Sequence, residues 1–147
     1  MSVPKVTGSV KVGRRLTADP GAWGPGDVEL SYQWLRSGTA IVGATDAVYA
    51  LKAADKGKKI TVTVTGTKSG YATVSKTSVA TGKVAAGTLT SVKPKITGTV
   101  KVGKKLTAKP GTWKPSKGVK LTFQWQRNGT NIKGATKKTY TLKTADK

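Results

Sequence analysis

The sequence predicts an all-β protein built from two copies of one small β-sandwich, the second copy lacking its last two strands. Three observations carry this. The run VPKVTGSVKVGRRLTADPGAW (residues 3–23) returns as KPKITGTVKVGKKLTAKPGTW (residues 93–113), an offset of 90. The run LSYQWLRSGTAIVGATDAVYALKAAD (residues 30–55) returns as LTFQWQRNGTNIKGATKKTYTLKTAD (residues 121–146), an offset of 91. The extra residue falls in a turn, KPSKG against GPGD, where loops tolerate insertion. Within each copy, short runs alternate apolar and polar residues between turn signals spaced about 8 to 12 residues apart, which marks strands rather than a helical repeat.

In the first copy, residues 5–12 form a Gly-interrupted edge strand and residues 15–18 a second strand. Asp19-Pro20-Gly21 is a turn, because proline presets φ and glycine accepts positive φ without a steric cost. Residues 28–35 alternate cleanly. Val28, Leu30, Tyr32 and Trp34 share one face, and Glu29, Ser31, Gln33 and Leu35 share the other. In the second copy the inward set is Val119, Leu121, Phe123 and Trp125, while Leu35 has become Gln126 on the outward face. Ser37-Gly38 and Asn128-Gly129 suit a hairpin turn with left-handed backbone. Residues 48–51 form a strand with Tyr49 and Leu51 inward, and residues 53–57 bend the chain. Ile60, Val62 and Val64 then alternate with Thr61, Thr63 and Thr65 in the strongest strand signal of the chain. Lys68-Ser69-Gly70 turns into a last strand over residues 72–80, and residues 82–91, GKVAAGTLTS, read as connecting chain. The domains are set at 1–84 and 93–147, with a linker at 85–92.

The candidate core is Trp34, Trp125, Tyr49 and Tyr140 with the inward aliphatics. Burying each large side chain is worth about 1.5–3 kcal/mol, and truncating Trp34 or Trp125 should cost about 3–5 kcal/mol.

A tryptophan on the third strand, a hairpin, an apolar strand and an Asp-containing bend before a strongly alternating strand together resemble the immunoglobulin-like sandwich. PKITGTVKVGKKLTAKPGTW followed by FQWQRNG, I-x-GAT, TYTL and AD is similar, more closely, to the bacterial Ig-like repeats strung in tandem in secreted and surface proteins, especially of actinobacteria. Nearly the whole chain carries the resemblance. The fold class it implies is tandem immunoglobulin-like β-sandwiches, without the two sheet-bridging cysteines of vertebrate domains. It implies an extracellular bead, secreted or at the bacterial cell surface beside neighbouring domains of a longer parent, and it implies no ligand. The first copy continues through GKKITVTVTGTKSGYATVSKTSVATGKV, which the second copy does not repeat. Two readings follow: a piece of a longer repeat array, or a second copy completed by another chain through strand swapping or donation.

Composition narrows the chemistry. The chain has no Cys and no His, so a disulfide framework, thiolate catalysis and Cys-ligated zinc are excluded. No run approaches the roughly 20 apolar residues of a membrane-spanning helix. The acids are Asp19, Asp27, Glu29, Asp46, Asp55 and Asp146. Asp19, Glu29 and Asp46 become Lys109, Lys120 and Lys137 in the second copy, so only Asp55 and Asp146 recur, in the position of turn acids that accept backbone N–H bonds. A lone carboxylate supplies neither an acid/base pair nor a coordination set, so no enzyme, cofactor or metal is expected. Asn128 and Asn131 sit in one turn with no acid placed to promote a Lys–Asn crosslink, and Asn128-Gly129-Thr130 reads as a turn rather than a glycosylation site.

Charge points to partners. The formal net charge is +21, from 27 Lys and Arg against 6 acids, and 23 of the basic residues are Lys. Lysines give diffuse point charge rather than the planar forks that read bases. Residues 1–84 carry 12 basic and 5 acidic side chains, residues 85–147 carry 15 and 1. The expected function is a non-catalytic spacer and adhesive stalk. The alternative is a polyanion-binding module in which Lys120, Lys133, Lys137 and Lys138 contact teichoic acid, acidic polysaccharide or nucleic acid, anionic cell-envelope polymers being the expected partner. Trp23 and Trp113, each following a Pro-Gly turn, either close the end of the core or offer a stacking surface.

Overall fold

Period-two alternation makes residues 29–36 and 60–67 one-sided, and in the computed structural model, which describes residues 1–147 throughout, these runs are neighbouring strands. The chain is all-β apart from two single 3-10 turns, and it divides into two units, Met1–Gly87 and Thr88–Lys147.

The first unit holds β1 (Lys5–Gly8), β2 (Arg15–Asp19), β3 (Glu29–Arg36), β4 (Thr39–Ala40), β5 (Val48–Ala50), β6 (Ile60–Thr67) and β7 (Val74–Thr77). One antiparallel sheet runs β1-β2-β5 and the other β4-β3-β6-β7. Strands β3 and β6 pair over eight positions, with Trp34 opposite Val62, Tyr32 opposite Val64 and Leu30 opposite Gly66. Because side chains alternate, Ile60, Val62 and Val64 are all buried while the threonines between them are not. Both sheets feed one core: Leu16 and Ala18 from β2, Tyr49 from β5, Trp34 from β3, and Ile60 and Val62 from β6.

The two-residue hairpin between β3 and β4 has positive φ at both central positions, Ser37 (47°) and Gly38 (85°), and Asn128 (46°) and Gly129 (79°) repeat it. That backbone twist matches the twist of the strands it joins, which is why Asn-Gly favours it.

Two boundaries differ from the sequence reading. β1 stops at Gly8 rather than residue 12, because Gly8 takes φ 119° and a Cβ there would lie 2.5 Å from the Arg15 carbonyl oxygen. The last strand is β7 alone. Beyond it the Ser78 and Thr81 N–H groups still donate to the Val62 and Ile60 carbonyls at 2.9 Å, but the return bonds go to side chains: the hydroxyls of Ser78 and Thr81 accept the N–H groups of Val62 and Ile60 at 3.0 Å each. The division between the units, at Gly87 and Thr88, falls within residues 85–92, whose two ends make contacts of their own. Val84 is core, Ala85 exchanges hydrogen bonds with Val10 and Val12, and Thr90–Ser91 form strand β8.

The second unit holds β8, β9 (Lys95–Gly98), β10 (Lys105–Lys109), β11 (Trp113–Lys114), β12 (Gln126–Arg127), β13 (Thr130–Asn131) and β14 (Thr139–Thr141). Its β9-β10-β14 sheet repeats β1-β2-β5, and β12–β13 repeats the hairpin. Residues 119–125 alternate as β3 does, yet only Gln126–Arg127 are strand, because no second ladder forms beside them. The core here is smaller: Leu106, Trp125 and Tyr140, flanked by Ala108, Ile132, Ala135 and Leu142.

Candidate functional site

The side chains that recur in both units form a knot around one carboxylate. Asp55 is fully buried at the end of a 3-10 turn (Ala53–Asp55), where its Oδ2 accepts the Lys52 N–H at 2.7 Å and the Tyr49 hydroxyl at 2.9 Å. Its Oδ1 accepts Arg36 Nε at 2.6 Å. Asp146 repeats the arrangement, accepting the Lys143 N–H at 2.6 Å, the Tyr140 hydroxyl at 2.9 Å and Arg127 Nε at 2.8 Å. The turn-acid reading therefore gains two partners that it did not include. A signal for them stands in the sequence: Arg14 and Arg15 become Lys104 and Lys105, but Arg36 remains arginine as Arg127.

The tyrosine of each knot stacks on the core tryptophan. Ring centroids lie 5.7 Å apart for Trp34 and Tyr49 and 5.6 Å for Trp125 and Tyr140. Each indole N–H donates at 2.8 Å to a main-chain carbonyl, of Asp46 or of Lys137. Because only the carbonyl is used, Asp and Lys are interchangeable there. On the outward face Gln33 and Gln124 donate to the Ile41 and Ile132 carbonyls at 2.9 Å, tying the strand to the loop after the hairpin.

These contacts set the electrostatics. Burial, then the Asp55 carboxylate, push the Tyr49 phenol up, and the hydrogen bond to Asp55 raises Arg36. In the second unit the Lys143 N–H, then Arg127 and Tyr140, hold Asp146 below the ordinary carboxylate range. A carboxylate with both oxygens engaged by its own fold is a structural anchor. The other acids do not converge. Asp19 Oδ1 accepts the Gly21 N–H at 2.9 Å inside its turn, and no three acids come together.

Lys120, Lys133, Lys137 and Lys138 are all exposed. Lys133 and Lys137 line one hollow with Lys143, over the edge of Ile132, Ala135 and Tyr140. Lys120 and Lys138 lie outside it, and Lys143 is an addition to the sequence-predicted set. The backbone under these lysines is fixed: Lys137 and Lys138 carbonyls accept from Trp125 and Ala108, and the Lys143 N–H is held by Asp146. In the first unit the matching positions are Val42, Asp46 and Lys52. The second unit's one acidic side chain is taken by Arg127, which leaves its lysines without a side-chain counter-charge of their own unit.

Trp23 is half-buried. Its indole N–H donates to the Pro20 carbonyl at 2.9 Å, and its ring lies against Gly66. It shares a hollow of about 250 Å³ with Val28, Tyr71 and Val74, beside which Lys68 sits 5.4 Å from the Tyr71 ring. Trp113 differs: its buried indole nitrogen has no hydrogen-bond partner, and it walls a groove of about 500 Å³ with Ile96, Leu121 and Phe123.

Compared with known proteins, the sequence matches no family model, and no curated protein matches it.

Proposed function

We propose that the chain is a non-catalytic run of tandem immunoglobulin-like repeats that spaces and presents neighbouring domains of a bacterial secreted or surface protein, its basic surface adding adhesion to an anionic envelope. The observation that carries this reading is the contrast between what the two units share and what they do not. The shared polar side chains, Arg36, Asp55 and Gln33 with their counterparts Arg127, Asp146 and Gln124, are spent on the fold. Asp19, Glu29 and Asp46 give way to lysines. A surface free to exchange acid for base suits a spacer, whereas a reaction site needs its titratable groups held in place. Support for the immunoglobulin-like reading comes from strand order, with β1-β2-β5 in one sheet, β4-β3-β6-β7 in the other and a core tryptophan on the third strand.

The second reading, a Lys-rich polyanion-binding module, is favoured by the hollow at Lys133, Lys137 and Lys143, which faces no acid of its own unit. The two readings separate on purified teichoic-acid-bearing cell wall at about 0.15 M salt, where unpaired surface charge is screened beyond roughly 8 Å. A spacer with generic charge is held weakly, and Gln at Lys120, Lys133, Lys137 and Lys138 weakens it no more than Gln at Lys101, Lys104, Lys105 and Lys114. Retention that survives the second set and is abolished by the first overturns the spacer reading in favour of the module.

A further inference from the structure

Much of the apolar surface that β6 and residue 84 cover in the first unit is open in the second, although Trp125 and Leu106 stay buried at 8% and 7% exposure. Val6, Val10 and Val12 pack on the first core, whereas their counterparts Ile96, Val100 and Val102 are 62%, 84% and 44% exposed. Leu121, the counterpart of Leu30, is 39% exposed, and the backbone N–H groups of residues 120–124 have no backbone partner. The Trp125 N–H and C=O are directed to Ala135 and Ile132, so alternation points those of Gln124 and Thr122 to the open edge. The open surface has nonetheless kept its shape. Leu30, Tyr32 and Trp34 are matched by Leu121, Phe123 and Trp125, and apolar residues of similar size stand at 96, 100 and 102.

From this geometry we infer that the second unit is a strand acceptor, whose occupant is an extended segment from outside residues 1–147 with the chemistry of residues 57–87: Ile or Val alternating with Thr, followed by a closing valine. The first unit fixes its register. The incoming strand runs antiparallel to residues 120–127, with a Val62-type residue opposite Trp125, a Val64-type residue opposite Phe123 and a glycine opposite Leu121. Glycine suits that last position because a Cβ on Gly66 would stand 2.7 Å from the Trp23 ring, and Trp113, the sequence counterpart of Trp23, lines one groove with Leu121. The position facing Lys120 is acidic or neutral, since Glu29, which faces Thr67 in the first unit, has become lysine. A second copy of this chain is a poor occupant, because its own residues 60–67 are already paired with its residues 29–36. The closing valine seats at Val100, Val102 and Leu142, which line a second hollow, as Val84 seats near Val10 and Val12.

The test adds a synthetic peptide of residues 57–87, GKKITVTVTGTKSGYATVSKTSVATGKVAAG, to the unaltered chain and follows amide hydrogen exchange. Saturating peptide slows the amides of residues 120, 122 and 124 at least tenfold and leaves residues 29–36 unchanged. A peptide carrying Val62→Asp with Val64→Asp, and one carrying Gly66→Val, bind at least tenfold more weakly. The inference fails if millimolar peptide leaves the amides of residues 120, 122 and 124 unprotected, or if the substituted peptides protect them equally. It also fails if the chain alone self-associates at micromolar concentration with those amides protected, since a second copy would then be the occupant.

Discussion

The ring of Trp23 closes directly onto the main chain at Gly66: a Cβ built there would lie 2.7 Å from Cε3 of the indole and 3.0 Å from Cγ1 of Val28. The contact joins a residue outside the regular strands to the C-terminal end of β6, opposite Leu30. It also explains a glycine in a strand whose other inward positions are Ile60, Val62 and Val64.

Gly66→Ala should therefore destabilise the first unit by about 1–3 kcal/mol, the cost of overpacking a filled site. Urea unfolding followed by tryptophan fluorescence measures it. Gly82→Ala, where nothing lies within 4 Å of the new methyl, should stay within about 0.5 kcal/mol of wild type.

Asp55→Ala removes the acceptor for Arg36, Tyr49 and the Lys52 N–H at once. A buried carboxylate with three donors should cost about 3 kcal/mol to delete, with the exposed side of Arg36 limiting the ion-pair share. Denaturant midpoints report the loss, and Lys52→Ala, which keeps the backbone N–H, should leave stability almost unchanged.

Asp146 gives the second unit an acid limit. Its carboxyl is held below the ordinary value of 3.8, so its stabilisation is full above that value and is lost as pH falls through the depressed one. Tyr49 acts at the other end. Its phenol is raised above 10.0, so its contribution is full below pH 10 and is lost as pH rises beyond that. Near-ultraviolet circular dichroism across pH 2–12 should show loss of tertiary signal at both extremes, and Asp146→Asn should remove the second unit's share of the acid step.

Ser37→Asn copies the second unit's hairpin into the first. With φ at 47°, residue 37 favours asparagine, and stability should rise by about 0.5 kcal/mol in thermal unfolding. Ser37→Val should lower it instead, because β-branched residues resist that backbone.

Replacing Lys133, Lys137 and Lys143 by Gln should reduce the dependence of duplex DNA binding on salt, lowering the slope of log K against log salt by about one for each phosphate that a lysine no longer neutralises. If the slope does not change, the hollow at Tyr140 does not touch the polyanion.

What the sequence made legible was local. Alternation placed Trp34 and Trp125 inward, and Ser37-Gly38 announced its turn, since both depend on residues a few positions apart. The Arg36–Asp55 contact spans 19 residues and exists only because β3, the hairpin and the strand of Tyr49 return the chain to the same place. The end of β1 escaped for a similar reason: a glycine in an alternating run reads as a weak strand until the Arg15 carbonyl is seen pressed against it. Val84 looked like connecting chain because its neighbours are Lys83 and two alanines, and its burial is decided by Val10 and Val12, more than 70 residues earlier. Among the candidate contacts, Lys133 and Lys137 share a hollow while Lys120 and Lys138 do not, a distinction that depends on the folded positions of residues far apart in sequence.

One core device is used twice, covered by β6 in the first unit and open in the second, and residue-resolved amide hydrogen exchange is the sharpest probe of that difference. Ser31 and Gln33, whose backbones face β6, should be strongly protected, whereas their counterparts Thr122 and Gln124 should exchange at nearly the rate of unstructured chain. Trp125, whose N–H is held by Ala135 at 3.0 Å, should remain protected beside them. Equal protection of residues 31 and 33 and residues 122 and 124 in the isolated chain would mean that the second core is not open at all.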